Sequence, residues 1–302
     1  MHISQCIHKF LIYLEVEKNK SPKTLENYQH YLSRFANYFG DISIGKIDSQ
    51  QIQDYRVFLN RETFGPRNLP LSKKTQNYHI IALRALLKYL SKNDIDCLSP
   101  EKIELISLPK RTVDFLEPKE VQDLLGSFDT DSVIGLRNKA ICEVLFATGL
   151  RISELQRLNR EQFANRETSS VTIKGKGGKS RIVFFSPRAL QAIHSYLDKR
   201  DDMEPALFIN EKRRDKNKSF RLSIYTMQEM VRKHASLAGI NKKVTPHTLR
   251  HSFATYLLDN GADIRGVQEL LGHSSITTTQ IYTHLTNRKL QEIHSKMNEF
   301  SD

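Results

Sequence analysis

The chain has 302 residues, 39% of them hydrophobic and 26% charged, and a net charge of +12. That length admits two domains with separate cores. The basic excess suits a polyanionic partner, nucleic acid before an anionic membrane surface. No apolar run approaches the roughly 18 residues a membrane span needs, and the first residues, MHISQCIHKF, carry no apolar signal region. The expected location is therefore the cytoplasm, without membrane insertion. Cys6, Cys97 and Cys142 lie far apart and form no CxxC pair, so neither a zinc ribbon nor a disulfide framework is expected, and buried free thiols are the simplest reading. Residues 1–108 carry 15 basic against 11 acidic side chains and the remainder 31 against 23, so both parts have charge to offer a phosphate backbone.

In chain order, Ile3, Ile7, Phe10, Leu11 and Leu14 recur at helical spacing. Ser21-Pro22 then signals a helix start, since Ser caps and Pro suits the first helical position. From there Leu25, Tyr28, Leu32, Phe35 and Phe39 form one stripe. A third helix is expected over about 48–60. After a loop from Phe64 to Pro70, Ser72 opens a fourth, striped by Ile80, Leu83, Leu87 and Leu90. These stripes read as the core of a four-helix unit, because no ligand-type residues line up on them. Ile106 to Phe115 lacks periodicity and reads as an extended linker.

Glu117-Pro118 opens the next helix, and Val133 to Ala147 forms another that is apolar enough to be buried. Val171–Ile173 and Ile182–Phe185 flank a Lys- and Gly-rich turn. That pattern predicts a β-hairpin, with Gly177-Gly178 supplying positive φ angles. Further helices are expected over about 188–199, 222–238, 246–259, 263–271, 275–283 and 286–300, with an exposed basic loop at Lys212 to Lys218. The fold class is mainly α with one small antiparallel sheet.

Four local patterns carry polar chemistry, and each has a plainer reading when taken alone. Arg151 and Glu154, three apart after Gly149, share a helix face; such pairs are most often surface ion pairs. Lys174 to Lys179 forms a Lys/Gly turn that a ligand can approach closely, but lacks P-loop spacing; such turns are most often solvated. In Thr245 to His251, Thr caps, Pro leads, and His247 and Arg250 fall on the first turns of a helix, a favourable phosphate seat. The rival pairing of His247 with His251 as metal ligands lacks the zincin Glu, since residue 248 is Thr, so no metal is expected. Finally, Gly272 ends a helix, His273 sits in the turn, and Tyr282 follows on a short helix, where a tyrosine is usually a packing residue.

The shared chemistry is more specific. Displacement at a phosphodiester builds negative charge that guanidinium forks match bidentately. Two arginines, two histidines and a lysine supply such a clamp. A tyrosine, with an ordinary pKa near 10, needs those cations and a nearby base to attack, and Lys176 is placed to protonate a leaving alkoxide.

Arg151, Lys176, His247-x-x-Arg250, His273 and Tyr282, with the phrases ATGLRISEL, GKGGKSR, TPHTLRHSFAT and LLGHSSITTTQIYTH, resemble the tyrosine recombinase (phage integrase) family, most nearly its Xer-type branch. The resemblance is strongest over about 115–285. It implies a four-helix core-binding (SAM-like) DNA-binding domain over 1–108, a linker over 109–115 and a catalytic domain over 116–302 that ends in a subunit-exchange helix; the stripe of that helix, Leu290, Ile293, Met297 and Phe300, has packing on its own domain as its plainer reading.

The same resemblance implies the residue roles. Tyr282 is the nucleophile, giving a 3′-phosphotyrosyl bond. Arg151 and Arg250 hold the non-bridging oxygens, and Lys176 protonates the leaving 5′-oxygen. His247 is a base or phosphate donor, His273 a phosphate donor, and Glu154 orients the site from behind. No metal or cofactor is implied. The implied partners are double-stranded DNA at a specific recombination site, three further subunits in a homotetramer or in a heterotetramer with a paralogue, and an accessory regulator. The implied role is site-specific recombination in chromosome dimer resolution. The alternatives are integration or excision of a mobile element and, further off, a type IB topoisomerase-like swivelase.

Overall fold

The computed structural model describes residues 1–65, 68–108, 114–175, 180–211 and 220–272. The chain divides into two compact units, Met1–Arg111 and Thr112–Asp302. Among the described residues both are mainly helical, and there are two small antiparallel sheets. No helix among the described residues is long and apolar enough to cross a membrane.

The N-terminal unit contains α1 (Ile3–Ile12), α2 (Pro22–Phe39), α3 (Ser49–Arg61) and α4 (Lys73–Lys92). Helix α2 starts with Pro22 at its first position, and side chains cap α3 and α4. Ser21 precedes Pro22, the Asp48 side chain accepts from the Gln51 N–H at 2.8 Å, and Ser72 accepts from the Thr75 N–H at 3.1 Å. Phe10, Leu32, Phe35, Tyr55, Leu83 and Leu90 fill the core. The Phe64–Pro70 segment differs from its expectation as a loop. Thr63–Phe64 (β1) pairs antiparallel with Leu69–Pro70 (β2), anchored by Phe64, whose ring meets Phe58 edge-on and lies 4.0 Å from the Arg34 guanidinium. Two-residue strands carry no alternation, so periodicity could not reveal them. Cys97 is half-buried and donates to the Leu87 carbonyl, whereas Cys6 and Cys142 are buried as expected.

The C-terminal unit runs α5 (Pro118–Gly126), α6 (Val133–Thr148), α7 (Ile152–Gln156), β3 (Ser170–Lys174), β4 (Ser180–Phe184), α8 (Pro187–Asp198), α9 (Ile224–Leu237), α10 (Pro246–Asp259) and α11 (Ile264–Leu271). Helix α6 is buried on nearly every side and packs against α8 and α10, which its apolar composition requires. In the β3–β4 ladder Val171 opposes Val183 and Ile173 opposes Arg181. The second strand thus begins two residues before the expected Ile182, a shift that turns out to matter. The Gly177-Gly178 turn, the basic loop, the helices expected over 275–283 and 286–300 with their apolar stripe, and residues 109–113 of the linker lie outside the described residues.

Gly135 allows the first turn of α6 to rest on the preceding loop, because a Cβ there would fall 1.6 Å from the Asp129 carbonyl oxygen. Backbone must move to admit one. Gly135→Ala is expected to destabilise the protein by about 1–3 kcal/mol through overpacking. A lowered thermal midpoint with the circular dichroism of the cold protein unchanged would bear this out; an unchanged midpoint would count against it.

Candidate active site

Helix α6 ends on Gly149 in the left-handed conformation, φ 59°. The position needs glycine twice over. A side chain would be strained at that φ, and a Cβ would fall 2.5 Å from the Phe253 ring and 2.8 Å from Leu271. The chain then turns into α7, with Arg151 as its extended N-cap residue. The Arg151 N–H donates to Glu154 Oε2 and its Nη1 to Glu154 Oε1, both at 2.9 Å.

Glu154 is only 4% exposed, so the pair is not the surface ion pair its spacing most often signifies. Burial raises the carboxyl's proton affinity, but hydrogen bonds from Arg181 and Arg151 overcome that and hold it at about 2.

Arg181 completes this cluster. It stands on the inward face of β4 with Val183 and grips Glu154 with both ends of its fork, Nη1 to Oε1 at 3.0 Å and Nη2 to Oε2 at 2.8 Å. Arg250, buried on the second turn of α10, brings a third guanidinium. Its Nη1 donates to the Gly149 carbonyl and its Nη2 to the Leu271 carbonyl at 2.7 Å.

These arginines converge on the C-terminal end of α11. The Leu270 carbonyl accepts from Arg181 Nε at 3.1 Å, Leu271 from Arg250, and Gly272 from Arg151 Nη2 at 2.9 Å. A helix end leaves its last carbonyls without intrahelical partners and carries partial negative charge, and here three successive carbonyls each take a different arginine. Among the described residues three guanidiniums are set against one carboxylate here, which gives the cluster the excess positive charge an anion seat requires.

Thr245 caps α10, accepting from the Thr248 N–H at 3.2 Å, and this sets His247 in its first turn. The His247 and His251 Nε2 atoms lie 2.9 Å apart with the rings at 80°. One ring must therefore donate while the other presents a lone pair.

Of the residues singled out in the sequence, Arg151, Glu154 and Arg250 meet at one place and His247 stands on the helix that carries Arg250. Lys176, His273 and Tyr282 lie outside the described residues. Arg181 escapes a reading that starts the strand at Ile182. Its signal was there: alternation back from Val183 puts a charged residue on the buried face, which demands a buried counter-charge.

The sequence profile of the phage integrase family matches residues 114–289, and that of the phage integrase N-terminal SAM-like domain matches residues 7–94. Tyrosine recombinase XerC of Pelotomaculum thermopropionicum is 35% identical over 96% of each chain. Tyrosine recombinase XerD of Listeria innocua is 33% identical over 97% of this chain and 98% of its own. Among solved structures, the XerH site-specific recombinase bound to a palindromic difH substrate in a post-cleavage complex is 25% identical, covering 97% of this chain and 84% of the other, with a TM-score of 0.72. The chain therefore belongs to the phage integrase family, and within it to the Xer-type tyrosine recombinases, enzymes that cut and rejoin DNA strands at specific sites.

The Glu154 carboxyl sits below its ordinary value of 4.5, so the stability it contributes is fully present above about pH 4.5 and is lost as pH falls toward 2. The span corresponds to something on the order of 3 kcal/mol. In Glu154→Gln the thermal midpoint is expected to start lower at neutral pH and to fall less steeply across that window. Parallel midpoint-against-pH curves for the two proteins would show that the carboxylate is not held as described.

Proposed function

We propose that this protein is a site-specific recombinase of double-stranded DNA in which Tyr282 is the nucleophile. The observation that carries the reading is the meeting of Arg151, Glu154 and Arg250 at the C-terminal end of α11, directly ahead of His273. Two cations whose donors are fixed by buried partners offer a preorganised seat for the oxygens of a phosphodiester, which gains charge as it is displaced.

In the proposed reaction the Tyr282 oxygen attacks the scissile phosphorus and gives up its proton, with His247 as acceptor. The bond from phosphorus to the 5′-oxygen breaks, and Lys176 protonates that oxygen. Arg151, Arg250 and His273 hold the non-bridging oxygens, while Glu154 holds Arg151. The 3′-phosphotyrosyl bond conserves the energy of the broken phosphodiester. Rejoining reverses the steps with a 5′-hydroxyl from another strand, and neither metal nor nucleotide enters the balance.

Residues 1–108 form the core-binding domain and residues 116–302 the catalytic domain in this reading, joined by residues 109–115. The enzyme works in the cytoplasm as a tetramer on two DNA sites, either of this chain alone or with a paralogue, and an accessory regulator gates it. Its role is the resolution of chromosome dimers. Similarity to proteins named XerC and XerD alike supports the Xer setting without choosing between one kind of subunit and two.

The test starts by recovering the bound site from fragments of the host genome and building it as a nicked suicide duplex. Wild-type protein is expected to become covalently linked to the DNA, and Tyr282→Phe to bind without linking. An adduct that persists in Tyr282→Phe overturns the assignment of the nucleophile. Relaxation of supercoils without joining between two sites overturns the recombinase reading.

A further inference from the structure

Arg181 is the cation of the cluster that the roles above do not use. Its side chain is 13% exposed against 33% for Arg151, so it stands behind Arg151 rather than beside it. Both ends of its fork are committed to Glu154 and its Nε to Leu270. Its seat is built for it. At Gly272, φ 62°, a Cβ would crowd the Arg181 side chain at 3.0–3.2 Å.

We propose that Arg181 is a positioning residue that sets the place and the effective charge of Arg151; this rests on the reading of Arg151 as a phosphate ligand. Each Glu154 oxygen accepts once from Arg151 and once from Arg181. Sharing the carboxylate in this way keeps it from neutralising Arg151 outright, so positive charge remains for a phosphate. Without Arg181 the full buried anion falls to Arg151, whose guanidinium is then drawn onto it and quenched. The bond to Leu270 adds a second constraint. It ties β4 to the helix end whose Gly272 carbonyl accepts from Arg151.

The test compares wild type, Arg181→Met, Arg181→Lys and Arg151→Ala on the suicide duplex, with either a phosphodiester or a neutral methylphosphonate at the scissile position. A neutral centre has no charge for Arg151 to meet. Arg181→Met is expected to bind DNA within about threefold of wild type and to cleave the phosphodiester about a hundredfold more slowly, the loss typical of one preorganised donor. On the methylphosphonate its deficit should shrink to within about tenfold. Arg181→Lys keeps the charge but not the fork and should fall between. The double variant Arg151→Ala with Arg181→Met should lose no more than Arg151→Ala alone, as residues acting through one another do.

Cleavage by Arg181→Met at the wild-type rate, an equal deficit on both substrates, or losses that multiply in the double variant each overturn the proposal. Should Arg181→Met fail to fold, the same ratio between substrates for Arg181→Lys decides. No adduct from wild type, or an adduct from Tyr282→Phe, defeats the functional reading itself and is told apart by these controls.

Discussion

The end of helix α11 is where the catalytic unit's polar architecture is decided. Its last carbonyls point into the protein, where unpartnered acceptors are costly, and Arg181, Arg250 and Arg151 supply the donors. Three cations so close together need an anion, and Glu154 supplies it from the first turn of α7. Glu154 accepts from two of the three and so ties Arg151 to Arg181. The positions of the groups assigned to the phosphate thus follow from satisfying a helix terminus, before any DNA is present.

The apolar scaffold makes that cluster possible. Helix α6 is sealed by α8 and α10, and its end at Gly149 delivers both the carbonyl that Arg250 takes and the turn that starts α7. Glycines at 149 and 272 let two helix ends and two side-chain clusters approach one another without a Cβ between them. Preorganisation here means that the guanidiniums are already oriented by carbonyl and carboxylate acceptors within the fold.

Much of this was legible in the sequence. Helix starts at Ser21-Pro22, Ser72, Glu117-Pro118 and Thr245-Pro246 announce themselves because capping is local chemistry. The stop at Gly272 was equally plain. The β1–β2 ladder was not, since two residues a side leave no period to detect. Nor was the burial of Glu154: its spacing from Arg151 looks the same whether the pair faces water or lies beneath a strand, and only Arg181, a partner distant in the chain, distinguishes the two. The convergence of Arg151 with Arg250 was expected from the family resemblance. That the backbone carbonyls of Leu271 and Gly272 accept from the two is a property of the fold alone.

The bond from Arg151 to Gly272 has a consequence for the order in which the molecule is made. It joins residues 121 apart in the chain, and the bonds from Arg181 and Arg250 also end on residues 270 and 271. A chain that stops before these residues keeps the bonds of Arg151 and Arg181 to Glu154 and of Arg250 to Gly149 but lacks the three carbonyls that complete the cluster. The cluster is therefore completed only once Gly272, 121 residues beyond Arg151, has been made.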